Sequence, residues 1–133
     1  MSDLREFLKL NRAVVSAQVE VDIGGRLSGK PFTVRAMSYD EWTDMQQRSV
    51  TVARDGRAKL NAGKLNELIA LACCVEPDFS SSDFIDEMGC KTPSELLRAV
   101  LLPGEILDVS KEISRISGFD NDFDELVDEA KNS

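Results

Sequence analysis

The chain has 133 residues, 42% of them apolar, with 24 acidic side chains against 16 basic ones for a net charge of −8. That length suits one domain able to bury a core without disulfides or metal, and the acidic balance, with no Lys/Arg cluster reversing it, disfavours nucleic acid and anionic membranes as partners. The absence of histidine removes the commonest general base and the imidazole metal ligands.

Three cysteines, Cys73, Cys74 and Cys90, form an odd set with an adjacent pair and no C-x-x-C spacing. They are expected to be reduced core residues, which suits the cytoplasm. Residues 1–10 carry Asp3, Arg5, Glu6 and Lys9, so no signal peptide is expected there. No apolar run approaches the ~20 residues a membrane span needs.

In chain order, Leu4, Phe7, Leu8 and Leu10 predict a short amphipathic helix, capped by Asp3 and ending near Asn11. From Val15 the period changes to two: Val15, Ala17, Val19, Val21 and Ile23 alternate with polar residues, as a half-buried strand requires. Phe32, Val34 and Ala36 resume the alternation after a glycine-rich loop, predicting a β-hairpin. A lone hairpin is marginal in water, so its apolar face must meet helices or a further strand.

Ser38-Tyr39-Asp40-Glu41 predicts a capping box, and Met37 with Trp42 a hydrophobic staple, at the start of a helix running to about Val52. Asp55-Gly56 ends it, and residues 54–64 read as a mobile loop. Leu65, Leu68, Ile69, Ala72 and Cys73 predict a central buried helix over residues 65–75, stopped by Pro77. A shorter helix around Asp83–Met88 ends at Gly89. Thr92-Pro93-Ser94-Glu95 supplies a capping box with Pro at the first helical position, ahead of Leu96, Leu97, Val100 and Leu101. After Pro103-Gly104, Ile106, Val109, Ile113 and Ile116 form a further helix up to Gly118, making a helical hairpin.

The expected fold is α+β and predominantly α, with an N-terminal helix and β-hairpin packed on a C-terminal helical bundle. Residues 1–118 form one domain, and 119–133 an acidic C-terminal segment, helical or disordered.

Two motif fragments fail on inspection. Gly24 to Lys30 matches G-x-x-x-x-G-K, but Pro31 stands where a Ser/Thr would ligate magnesium, and the following segment is a strand. Asp120, Asp122 and Asp124 imitate an EF-hand opening, yet Glu125 replaces the glycine and Lys131 the bidentate Glu. No cofactor or metal is expected. Tyr39 and Trp42, beside a capped helix start, read as core residues rather than a ligand box.

The C-terminal segment carries six Asp/Glu against one Lys from Gly118 onward. At helical spacing, Phe119, Phe123, Leu126, Val127 and Ala130 share one face while carboxylates cover the other. These five residues are the candidate partner-binding set, an arm that orders on contact; the plainer reading is a solvated tail, disordered or folded back onto the core.

The order of segments carries a resemblance. Leu4-Arg5-Glu6-Phe7-Leu8-Lys9, the hairpin ending Phe32-Thr33-Val34-Arg35-Ala36-Met37, and Tyr39-Asp40-Glu41-Trp42 are followed by the Leu68 to Pro77 helix, Ser94-Glu95-Leu96-Leu97, Leu101-Leu102-Pro103-Gly104-Glu105 and Ile116-Ser117-Gly118-Phe119-Asp120. Together they resemble the XkdN-like tail assembly chaperones of long-tailed phages and prophages, over nearly the whole chain. The resemblance implies a non-catalytic, non-virion protein of the host bacterial cytoplasm that keeps the tape measure protein soluble while tail tube protein assembles around it. It carries over no binding residue. Self-association is open to such a protein. The alternatives from other classes are a small regulatory or antitoxin-like protein-binding module and a histidine-free enzyme using paired carboxylates.

Overall fold

A computed structural model describes residues 3–13 and 15–119. The two period-two segments and a third strand, β5 (Cys74–Glu76), form an antiparallel sheet in the order β1-β2-β5. Strand β1 (Gln18–Val21) pairs with β2 (Phe32–Arg35), placing Val21 opposite Phe32 and Val19 opposite Val34. Val21, Phe32 and Val34 are buried. The apolar face of the hairpin packs into the core shared with the helices, while a third strand pairs along the free edge of β2.

The helices α1 (Asp3–Leu10), α2 (Tyr39–Arg48), α3 (Ala62–Cys73), α4 (Ser82–Glu87), α5 (Pro93–Val100) and α6 (Pro103–Ser114) make the fold mixed and predominantly helical. Helix α3 is the centre. It buries Leu65, Ile69, Ala70 and Cys73, packs most extensively on α6, and also meets α2 and α5. Its first turn is capped by Asn61, whose Oδ1 accepts from the Lys64 N–H at 3.1 Å. Val109 and Ile113 of α6 and Leu96 and Leu97 of α5 fill the space against it without exposed area. The expected α5–α6 hairpin is therefore better described as two helices that each pack on α3.

Local chemistry explains the helix starts. At α2 the Ser38 Oγ accepts from the Glu41 N–H (3.2 Å) while the Glu41 carboxylate accepts from the Ser38 N–H (3.1 Å), the reciprocal box expected. At α5, Pro93 sits in the first turn and the Thr92 hydroxyl accepts from the Glu95 N–H (3.1 Å). The Glu95 carboxylate, however, reaches one residue further back, to the Lys91 N–H at 2.7 Å, so the box is not closed on the cap residue.

Four expectations are corrected. Helix α3 ends at Cys73, and Cys74–Glu76 turns directly into β5 alongside β2, with Val34 opposite Cys74 and Thr33 opposite Glu76. An unbroken apolar run has no period to separate helix from strand, which is why the helix reads two residues too long. Helix α2 ends at Arg48 rather than near Val52. Residues 54–64 are not a loop: β3 (Val50–Val52) and β4 (Ala58–Leu60) form a second antiparallel hairpin. Its turn is closed by the Gly56 N–H on the Ala53 carbonyl and the Ala53 N–H on the Arg57 carbonyl, both 2.9 Å, with Gly56 at φ 83°. That conformation favours glycine.

The fourth correction concerns α1. The helix forms as expected, but no residue in it is buried, so it does not pack on the bundle. Eight residues present too small a stripe to compete for a core already filled by α3, α5, α6 and the sheet.

Candidate partner-binding site

The expected binding residues divide at the edge of the described region. Phe119 lies within it; Phe123, Leu126, Val127 and Ala130 fall outside it. Phe119 ends a π-helical turn, Arg115–Phe119, that prolongs α6 and contains Gly118 at φ 100°. Its ring rests on Trp42, centroids 5.2 Å apart, and Trp42 in turn meets Tyr39 at 6.3 Å. Ser117 fixes this corner: its Oγ donates to the Ile113 carbonyl (2.6 Å) and accepts from the Met37 N–H (2.9 Å). The result is a shallow cleft of about 340 Å³ whose walls include Met37, Tyr39, Trp42 and Phe119. Trp42 is part of the core periphery, as expected, while Tyr39 is 78% exposed at the rim.

A second apolar surface is the α1 stripe, where Leu4, Phe7 and Leu8 are each more than half exposed. On a helical wheel, Arg5 and Lys9 flank this stripe on one side and Asp3 and Glu6 on the other. A third is a groove of about 460 Å³ between α3, α5 and α6, walled by Leu101, Ile106 and Leu107. Glu67 and Arg98 pair across its rim at 2.9 Å.

The fourth surface was missed in the sequence. In β3–β4, Val50 stands opposite Leu60 and Val52 opposite Ala58, so these four side chains share one face of the ribbon, and all four are exposed. Thr51 and Lys59 occupy the other face. Residues 48–64 also contain Arg48, Arg54, Arg57, Lys59 and Lys64 against the lone acid Asp55. A basic cluster does stand against the acidic balance, contrary to the expectation from composition. Its members are spaced several residues apart along the chain.

The titratable groups with displaced pKa values hold the fold together. Arg35 and Glu41 pair through two hydrogen bonds of 2.9 and 2.8 Å, and Arg35 also donates to the carbonyls of Ala36 and Ala72, tying β2, α2 and α3. The guanidinium, with the Ser38 N–H, holds the Glu41 carboxyl down at about 2 despite its partial burial. Arg26 donates to Glu105 and to the Val100 carbonyl, both 2.7 Å, clamping the first hairpin's loop to α5 and α6. That bond and the Leu102 N–H lower the Glu105 pKa. Burial pushes the Cys73 and Cys74 thiols up to about 11 and about 12, as inert core cysteines require.

The structure also explains the false phosphate-loop match. The Asp22 carboxylate accepts from the Gly24 N–H (2.8 Å) and the Gly29 N–H (2.9 Å), bonds that lower its own pKa. The glycine loop already closes around an anion supplied by the chain. No group of three or more His, Cys, Asp or Glu side chains able to hold a metal ion occurs among the described residues. No described helix is long and apolar enough to cross a membrane.

Comparison with known proteins gives these surfaces a context. Residues 4–131 match the family model for the phage XkdN-like tail assembly chaperone protein. The chain is 26% identical over 136 residues to the phage-like element PBSX protein XkdN of Bacillus subtilis (strain 168), covering 95% of this chain and 92% of that protein. It is likewise 26% identical to the protein YqbN of the same strain, covering 95% and 91%. The crystal structure of YqbN superposes with a TM-score of 0.64 at 22% identity, over 90% of this chain and 99% of that one, so the fold is shared. The end-to-end match places this chain in the family of phage XkdN-like tail assembly chaperones.

Proposed function

We propose that the protein is a non-catalytic chaperone that binds the phage tape measure protein and keeps it soluble until tail tube subunits assemble around it. It acts in the host bacterial cytoplasm and is left out of the mature virion. The observation that carries this reading is the family match over residues 4–131. The exposed apolar surfaces on α1, on β3–β4 and beside Trp42 support it, because a long helical client with apolar stripes self-associates unless those stripes are reversibly covered.

The C-terminal segment is the proposed client arm, with Phe119, Phe123, Leu126, Val127 and Ala130 as its contact residues. Phe119, the member of this set that the structure describes, packs on Trp42. The arm's apolar side chains fill a groove on the client while Asp122, Asp124, Glu125, Asp128 and Glu129 stay at the rim, governing encounter rate and salt sensitivity.

The test is co-expression with the tape measure protein of the same phage genome, followed by tagged capture. The client is expected in the soluble fraction, bound to this chain, and insoluble without it. Deleting everything after Gly118 should lower client solubility, and Phe123→Ala with Leu126→Ala should lose more binding than neutralising the five carboxylates. A client equally soluble with and without the protein overturns the chaperone reading. One kept soluble by the truncated chain as well as by the full one overturns only the arm.

A further inference from the structure

Among the described residues, none covers the β3–β4 ribbon. A two-stranded hairpin alone is marginal in water, yet Val50, Val52, Ala58 and Leu60 put an apolar face on it that no described part of the chain buries. The surrounding cations are also poorly matched. Arg48 meets Asp44 and Arg57 meets Asp55 only at 3.6 Å, through exposed side chains, while Arg54, Lys59 and Lys64 have no ion pair among the described residues. An occupant must therefore be both apolar and acidic.

We propose that the ribbon is the resting dock of the chain's own C-terminal stretch, residues 120–133. That stretch combines Phe123, Leu126, Val127 and Ala130 with six carboxylates and one Lys. Its charge is opposite to that of residues 48–64, where Arg54 and Arg57 lie at the ribbon's turn and Lys59 on the face away from the apolar one. Another exposed apolar element, α1, is a poor match because its Asp3 and Glu6 balance Arg5 and Lys9.

Position favours the same pairing. The described chain ends at Phe119 on Trp42, near the start of α2, and the ribbon grows from the far end of that helix at Arg48. Six helical residues from Trp42 to Arg48 span about 9 Å. The 14 residues after Phe119 reach roughly 20 Å even if helical, and about twice that if extended. Docked there, the stretch shields its apolar side chains and the ribbon from self-association, and any partner that engages one must first separate it from the other. The contact concerns the chain alone and stands whether or not the same residues meet a client.

Hydrogen exchange on the full chain tests this from both sides. Phe123→Ala with Leu126→Ala should speed exchange of the amides in residues 50–60 by about tenfold. The double charge reversal Arg54→Glu, Arg57→Glu should speed exchange in residues 120–133, and high salt should reproduce part of both effects. Amides of α3, far from either set of changes, should stay protected and report intact folding. Ribbon exchange unmoved by the C-terminal substitutions overturns the proposal, and so does coupling that grows with protein concentration, which assigns the stretch to a second copy. Tight binding of a fluorescent single-stranded oligonucleotide that is lost on charge reversal, with no coupling to the C-terminal stretch, also overturns it and makes the ribbon a nucleic-acid contact.

Discussion

Replacing Glu41 with Gln removes one charge from the Arg35 network while leaving a side-chain oxygen able to accept from the Ser38 N–H. The carboxyl is held from 4.5 down to about 2, chiefly by its hydrogen bonds to Arg35. Without screening, a displacement of that size corresponds to about 3 kcal/mol of stability that depends on pH. A third of the Glu41 side chain is exposed, so solvent reduces the expectation to about 1–2 kcal/mol. The sign follows from the direction: a depressed carboxylate stabilises the native state fully above its unfolded pKa near 4.5, and this contribution is lost as pH falls towards 2. Urea unfolding followed by the fluorescence of Trp42, the sole tryptophan, measures it. Wild type should exceed Glu41→Gln by about 1–2 kcal/mol at pH 7, and the gap should close between pH 5 and pH 2. Asp22 and Glu105 also carry lowered pKa values but are present in both proteins, so they cancel in the difference. A constant offset across that range, or no offset at pH 7, would refute the assignment of the stabilisation to the charged pair.

Ile69→Ala, at a position 2% exposed in the centre of α3, should cost about 2–5 kcal/mol by urea unfolding, and Leu68→Ala, at a half-buried one, should cost less. Ser38→Ala should cost about 1 kcal/mol and speed exchange of the Glu41 amide, whose acceptor is the lost hydroxyl. An aromatic disulfide reagent at pH 8 should label Cys90 quickly and leave Cys73 and Cys74 untouched until the protein unfolds; rapid labelling of all three would show that α3 and β5 open readily. Phe7→Ser in α1 should leave the unfolding midpoint unchanged, since the ring is 60% exposed, and a loss of more than about 1 kcal/mol would show that α1 docks on the domain.

Features governed by neighbours in the chain were legible in the sequence. Ser38 and Glu41 form their box because each finds the other three residues away, and Pro93 suits a first turn that has no use for its missing N–H. Features governed by distant partners were harder. Ala70 to Val75 is apolar throughout, and only the vacant edge of β2 determines where helix gives way to strand. Val50, Val52 and Leu60 look like the tail of one helix and the edge of a loop until Gly56 folds them onto each other. Of the candidate binding set, the structure describes only Phe119, whose partner Trp42 lies 77 positions earlier and was expected to be core.

The stabilising interactions and the exposed apolar surfaces lie in different elements. Ile69, Leu96, Leu97, Val109 and Ile113 are almost fully buried around α3, and the Arg35 and Arg26 networks brace the sheet and its loop against the helices. Neither α1 nor β3–β4 buries a single residue. Covering or uncovering them therefore changes the exposure of their own side chains and leaves the α3 core intact. Each such patch is small, a few side chains at most, and burying one apolar side chain is worth about 1.5–3 kcal/mol before the entropy of association is deducted. One patch alone can hold a partner only weakly. A partner held tightly by the proposed surfaces would have to engage several at once, and such weak contacts would separate one after another without unfolding the domain that presents them.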